Sequence, residues 1–284
     1  LPGYLLSYSA FLRRYQDGTD AEDLRRRISP FLMRRLKKEV LTELPDKIES
    51  VFTAQMSPEQ AKVYEATMMR LRQRVDSIVK EKGFERGRTE VLAAITQLRE
   101  ICCHPSLVLD DYTGTSGKLD MLLDMLPEAI AKGRRVLLFS AFTSMLKILR
   151  RELDDAGYET MYLDGDTPAQ RRVEMAEQFN AGQGQIFLIS LKAGGTGLNL
   201  TGADMVIHYD PWWNPAAEDQ ATDRAYRIGQ TRKVEVIRLV THASIEEQVV
   251  ALGQRKKALF DQLIKPGESM VGGLSPQEIM SLFQ

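Results

Sequence analysis

Three side chains within DQATDRAYRIGQTR, Asp219 to Arg232, have types and spacing suited to phosphoryl chemistry. If the stretch is helical, Gln220, Arg224 and Arg227 fall at i, i+4 and i+7, and one face carries an amide and two guanidiniums. A guanidinium is planar, permanently charged and forked, which suits it to the negative charge on a phosphoryl group in transfer. The same spacing also serves a solvated helix, because Asp223 and Arg227 stand i, i+4 and can pair locally. A second loop, one strand earlier, tips the balance: SLKAGGTGLNLTGAD, Ser190 to Asp204. Its glycines, Gly194, Gly195 and Gly197, let backbone amides approach a phosphate or sugar closely. Alone, such a loop is an ordinary tight turn after a strand. Here Lys192, Thr196, Asn199 and Thr201 add polar donors beside it.

The elements that must position these loops change in texture near Ser116. Before it, apolar residues recur at helical spacing: Tyr64, Met68, Leu71, Val75 and Ile78, then Val91, Leu92, Ile95, Leu98 and Ile101. Ser57 followed by Pro58 reads as a helix cap with proline at the first helical position. KIESVFTAQM reads as an extended strand lying between helices. After Ser116, short strands alternate with helices. VLLFSAF, TMYLDG, QIFLIS, MVIHYD and VEVIRLVT are the strands, and Thr143 to Asp155, Pro168 to Asn180 and Pro215 to Arg227 the helices. Such alternation calls for right-handed crossovers and a mostly parallel sheet flanked by helices. Ligands then gather at the carboxyl ends of the strands, where the glycine loop and the arginine helix are expected. A last helix, Ser244 to Ile264, should pack back on the domain through Ile245, Val249, Leu252, Leu259 and Leu263.

Other candidate groups carry less. Trp212 and Trp213 follow a strand, between Pro211 and Pro215. Neighbouring side chains diverge there, so one is expected to pack and the other to face outward. His104, His208 and His242 have no zinc-site spacing, and no Ser/His/Asp arrangement stands out. Cys102 and Cys103 are adjacent, which does not suit a routine structural disulfide and fits a reducing compartment. SGKL, Ser116 to Leu119, imitates the end of a phosphate-binding loop but lacks the leading glycine and strand, and reads instead as a helix entrance capped by Ser116.

Composition permits a folded domain and excludes some classes. The 284 residues are 43% hydrophobic and 27% charged, enough for one large core and an appendage. No apolar run approaches the ~20 residues that cross a bilayer, and no signal-peptide pattern opens the chain. A formal net charge of −1 argues against a purely electrostatic nucleic-acid binder. Locally, Leu24 to Lys38 holds seven basic residues and no acid: Arg25, Arg26, Arg27, Arg34, Arg35, Lys37 and Lys38. That run reads as a solvated helix face or a weak phosphate patch.

Taken together, the two loops resemble motifs V and VI of superfamily-two helicases, in the SWI/SNF branch of DNA translocases. QATDRAYRIGQ is close to that branch's Q-x-x-D-R-x-x-R-I-G-Q pattern. PFLMRRLKKEVLTELPDKIE, QLREICCHP, VLLFSAF, YLDGDT and DPWWNP look like family blocks in family order. The resemblance implies an α/β RecA-like lobe over residues 116–243. It also implies a mostly helical family-specific region over 1–115, and a C-terminal helix and tail, 244–284, packed on the lobe. Arg224 and Arg227 are then arginine fingers, with Gln220, Gly195, Gly197 and Asn199 near the nucleotide. Lys192, Gly194, Thr196, Trp213 and Ser140 meet the DNA backbone.

ATP and Mg²⁺ are implied for the full-length enzyme and are held mainly by a first RecA-like lobe, since this sequence contains no G-x-x-x-x-G-K-[ST] and no DE-x-H box. The start at Leu1 fits a fragment. Double-stranded DNA and the first lobe are the expected partners of a monomer. The expected place is the cytoplasm, at the nucleoid in a bacterium, or the nucleus in a eukaryote. Two alternatives stay open: a lobe that binds DNA or a partner without joining a catalytic cleft, and a stand-alone phosphate-binding enzyme built on the glycine loop.

Overall fold

A computed structural model of the chain describes residues 4–15, 20–31, 45–193, 197–212, 214–263, 280 and 282–283. Two short helices, α1 (Tyr8–Tyr15) and α2 (Ala21–Ile28), open it. Strand β1 (Lys47–Ala54) leads to a helical hairpin of α3 (Pro58–Lys82) and α4 (Phe84–Cys103). Ser57 caps α3 by accepting from the Gln60 amide, with Pro58 behind it, as the sequence requires. Gly83, at φ 75°, makes the break between the two helices.

Beyond Ser116 the order is α5 (Gly117–Ala131), β2 (Val136–Ser140), α6 (Thr143–Asp155), β3 (Thr160–Leu163), α7 (Ala169–Asn180) and β4 (Ile186–Ser190). Then come β5 (Met205–His208), α8 (Pro215–Thr222), β6 (Val234–Thr241) and α9 (Ile245–Leu263). Among the described residues the strands form one six-stranded sheet in the order β1-β6-β5-β2-β4-β3, and every pairing is parallel. This is a RecA-like α/β lobe.

The central strands VLLFS and IFLIS are buried at every position, as strands covered on both faces must be. Alternation divides their side chains between two cores. Leu137, Phe139, Phe187 and Ile189 meet Phe179 of α7 on one face. Val136, Leu138, Ile186 and Leu188 meet Leu122 of α5 and Leu146 of α6 on the other. A third cluster joins Tyr64, Val75, Ile95 and Leu98 of the helical hairpin to Ile245, Val249 and Leu252. The last helix therefore packs on the hairpin while also touching β6 and α8, where a Cβ on Gly253 would lie 3.2 Å from the Pro215 ring; Leu259 and Leu263 have no described side chains.

The strand foreseen within the helical region belongs to the lobe's sheet. β1 pairs with β6 residue for residue, from Lys47↔Val234 to Ala54↔Thr241. The eight residues of β6 would otherwise leave a long open edge, and β1 covers it. The change of texture at Ser116 is thus not an edge of the sheet. Gly117 marks how closely the two parts meet: a Cβ there would lie 1.7 Å from the Gln55 carbonyl oxygen.

Candidate functional site

The connection from β4 to β5 crosses from the carboxyl rim of the sheet to its amino rim. At the upper end the Leu191 amide donates to the Ser140 carbonyl, 2.9 Å. At the lower end the Asp204 side chain accepts from the Arg135 amide, 3.0 Å, just before β2. Between them Leu198, Leu200 and Ala203 are buried, while Lys192, Gly197 and Asn199 face solvent. Gly197 has φ 54°, a left-handed conformation that glycine takes without strain. Gly194, Gly195 and Thr196 lie outside the described residues.

Asn180, at the end of α7, clamps this crossover. Its Nδ2 donates to the Asn199 carbonyl and its Oδ1 accepts from the Gly202 amide, each at 2.9 Å. A Cβ on Gly202 would lie 2.9 Å from the Asn180 Cα, so the close approach needs glycine.

Helix α8 ends at Thr222, not at Arg227, and the expected single face does not form. Non-local bonds override the local periodicity. The Thr222 hydroxyl is 2.9 Å from His208 Nε2 in β5, Ala225 and Tyr226 turn into the core, and the Leu200 amide donates to the Arg224 carbonyl at 2.9 Å. Gln220 is exposed on the last turn of α8. Arg224 is buried and Arg227 exposed on the turn that follows, beside Ile228, which is 70% exposed. Burial, and then the neighbouring charge of Arg227, lowers the Arg224 guanidinium from its ordinary value. Asp223, on the same turn, acts in the opposite direction.

Gln230 holds that turn in place, a role that sequence reasoning did not assign. Its Nε2 donates to the carbonyls of Thr201 (3.2 Å), Ala203 (2.7 Å) and Ala225 (3.1 Å), and its Oε1 accepts from the Arg232 amide (2.9 Å). The arginine turn is thereby stitched to the crossover, below the carboxyl rim where it was expected. The rim keeps Lys192 and the Asp210–Trp212 segment.

Ser140 is buried, and its hydroxyl donates to Asp210 Oδ1 at 2.5 Å and accepts from the Phe142 amide. It organises the rim instead of facing outward. Trp212 is half-buried against the core, and its amide donates to Glu218 at 2.7 Å; Trp213 lies outside the described residues. Glu218 also accepts from Arg238, which reaches Glu49 of β1. Burial alone would raise the Glu49 carboxyl, but Lys47 and Arg238 outweigh it and hold it down to about 2. Burial, with Arg238 nearby, pushes His208 down to about 3, so its imidazole is neutral and serves Thr222.

Elsewhere, Arg26 and Arg27 turn back onto Asp23 of their own helix. The rest of the basic run has no described side chain. Ser116 caps α5 through the Leu119 amide, as the helix-entrance reading requires. Lys118 is buried, donating to Glu246 at 2.6 Å and to the Tyr209 carbonyl at 3.0 Å. Cys102 and Cys103 are free and buried. Among the described residues no helix is long and apolar enough to cross a membrane.

Two family models match in tandem: the SNF2-related domain over residues 3–107 and the Helicase conserved C-terminal domain over residues 117–229. The chain belongs to the SWI/SNF branch of the superfamily-two helicase-like ATPases. A Bacillus subtilis protein named "Putative ATP-dependent helicase/translocase" is 38% identical over 99% of this chain. The chromatin structure-remodeling complex subunit snf21 of Schizosaccharomyces pombe is 37% identical over 85% of it. A Sulfolobus solfataricus SWI2/SNF2 ATPase core, solved in complex with dsDNA, superposes with a TM-score of 0.67 at 34% identity, covering 99% of this chain and 61% of that one. The chain spans only 32% of the Bacillus relative and 21% of the fission-yeast subunit. It corresponds to the C-terminal region of such ATPases.

Proposed function

We propose that this SWI/SNF-type chain is the second lobe of an ATP-driven translocase that tracks double-stranded DNA by its backbone. The observation that carries this reading is the stitching of the arginine turn to the glycine crossover by Gln230, which makes one unit of the two loops. Arg224 and Arg227 act as arginine fingers, with Gln220 as an orienting group at the edge of the site. Gly195, Gly197 and Asn199 border the nucleotide. Two guanidiniums on one turn suit a polyphosphate, and bound ATP with Mg²⁺ would supply the phosphoryl group whose charge they neutralise. A first lobe outside this chain holds most of that nucleotide. On its own the chain is inactive: hydrolysis at ~1 per second or faster in the presence of dsDNA, typical of working enzymes, would refute the half-site reading.

DNA lies along the carboxyl rim, on Lys192, Gly194, Thr196 and Trp213. Contacts to phosphates rather than bases suit a motor that must release each base it passes. Each phosphate-neutralising lysine adds to the salt dependence of binding. Replacing Lys192 by alanine should weaken binding about equally for unrelated duplexes and flatten the log–log salt slope by roughly one unit. Titrations at several salt concentrations test this; an unchanged slope moves the DNA surface elsewhere.

A further inference from the structure

The rim that carries Trp212 is held by a buried ion pair from outside the lobe. Arg99, on α4, donates to Asp210 Oδ2 at 3.0 Å and to the Pro211 carbonyl at 2.9 Å. Both side chains are sealed from solvent, 1% and 0% exposed. The guanidinium also lies between two rings, 4.9 Å from the centroid of Trp212 and 5.1 Å from that of Phe142. Asp210 in turn accepts from Ser140 Oγ and the Ala141 amide at the carboxyl end of β2. One arginine from the helical hairpin therefore ties together the ends of β2 and β5, the entry to α6 and the Trp212 loop.

Stability alone does not account for this arrangement. A buried ion pair seldom stabilises more than apolar residues of like volume would. What it adds is direction: the two donors and two ring faces admit one placement of the loop. We infer that Arg99 and Asp210 are positioning residues, a latch that fixes the Asp210–Trp212 segment against β2 so that DNA on the rim acts on a loop that cannot shift. This rests on the reading of the chain as half of a DNA-driven motor.

The test uses the double substitution Arg99→Met with Asp210→Asn. The single change Arg99→Met strands a buried carboxylate and risks unfolding. In the double variant no charge is left buried, and the asparagine oxygen still accepts from Ser140 and Ala141. The only two tryptophans of the 284 residues are Trp212 and Trp213, so fluorescence excited at the red edge, where the nine tyrosines do not absorb, reads this loop. We expect a folded double variant, by circular dichroism, whose acrylamide quenching constant rises about twofold as the Trp212 ring loses its cover. In the full-length protein, kcat of DNA-stimulated ATP hydrolysis should fall about tenfold, with KM for ATP within about twofold, because misplacement remote from the chemistry acts on rate. A folded double variant with wild-type kcat, or one that loses kcat while its quenching stays as in wild type, overturns the latch. Absence of DNA stimulation in the wild-type protein would instead count against the translocase reading, and unchanged quenching would still overturn the latch.

Discussion

Replacing Arg227 by alanine in the full-length motor should lower ATP hydrolysis about 10³–10⁵-fold while ATP and DNA still bind, because an arginine finger acts mainly on the transition state. The local structure makes the substitution clean. The Arg227 side chain is exposed, and the turn beneath it is held by Gln230 and by the Leu200–Arg224 backbone bond, which survive truncation. Arg224→Ala should slow hydrolysis as well and also weaken ATP binding. Its side chain is buried, so part of that loss will be structural. Single-turnover hydrolysis with saturating dsDNA distinguishes the two. A normal rate for Arg227→Ala would leave that residue as a solvated surface cation with no part in hydrolysis.

A second large effect concerns the fold. Lys118→Met leaves the Glu246 carboxylate buried without its ammonium partner; both side chains of this pair are fully enclosed. Breaking one side of such a pair typically costs about 3–5 kcal/mol. Glu246 Oε2 still accepts from the Thr241 amide, which offsets little of a buried charge. Chemical denaturation should register the loss, and adding Glu246→Gln should recover much of it. A Lys118→Met chain as stable as wild type would show that the lysine merely fills space. The effect would also explain why a sequence that imitates a phosphate-binding loop does no such work: its lysine joins α5 to α9.

Much of this architecture was legible in the residues. Continuous apolar runs marked β2 and β4, a serine-proline pair marked the start of α3, and the texture change at Ser116 marked the strand–helix alternation. Spacing misled where distant partners intervened. Gln220, Arg224 and Arg227 are spaced for one helical face, yet Thr222 is claimed by His208 and Arg224 by Leu200, so the helix stops first. Local patterning carries no record of such bonds. KIESVFTAQM was readable as a strand, but its partner β6 lies nearly 200 residues away. Arg99 did leave a trace: it sits among Ile95, Leu98 and Cys102, a charge on the apolar stripe of a helix, which calls for a buried partner. The glycine loop at 194–196 and Trp213 rest on the sequence and the family resemblance.

The central claim is that this chain completes an ATP site begun elsewhere. Its most direct test is complementation: dsDNA-stimulated ATP hydrolysis by a first lobe from the same protein, measured alone, joined to this chain, and joined to the Arg227→Ala chain. The account predicts turnover only in the wild-type joined protein. Turnover by this chain alone, or equal turnover with the Arg227→Ala chain, would contradict it.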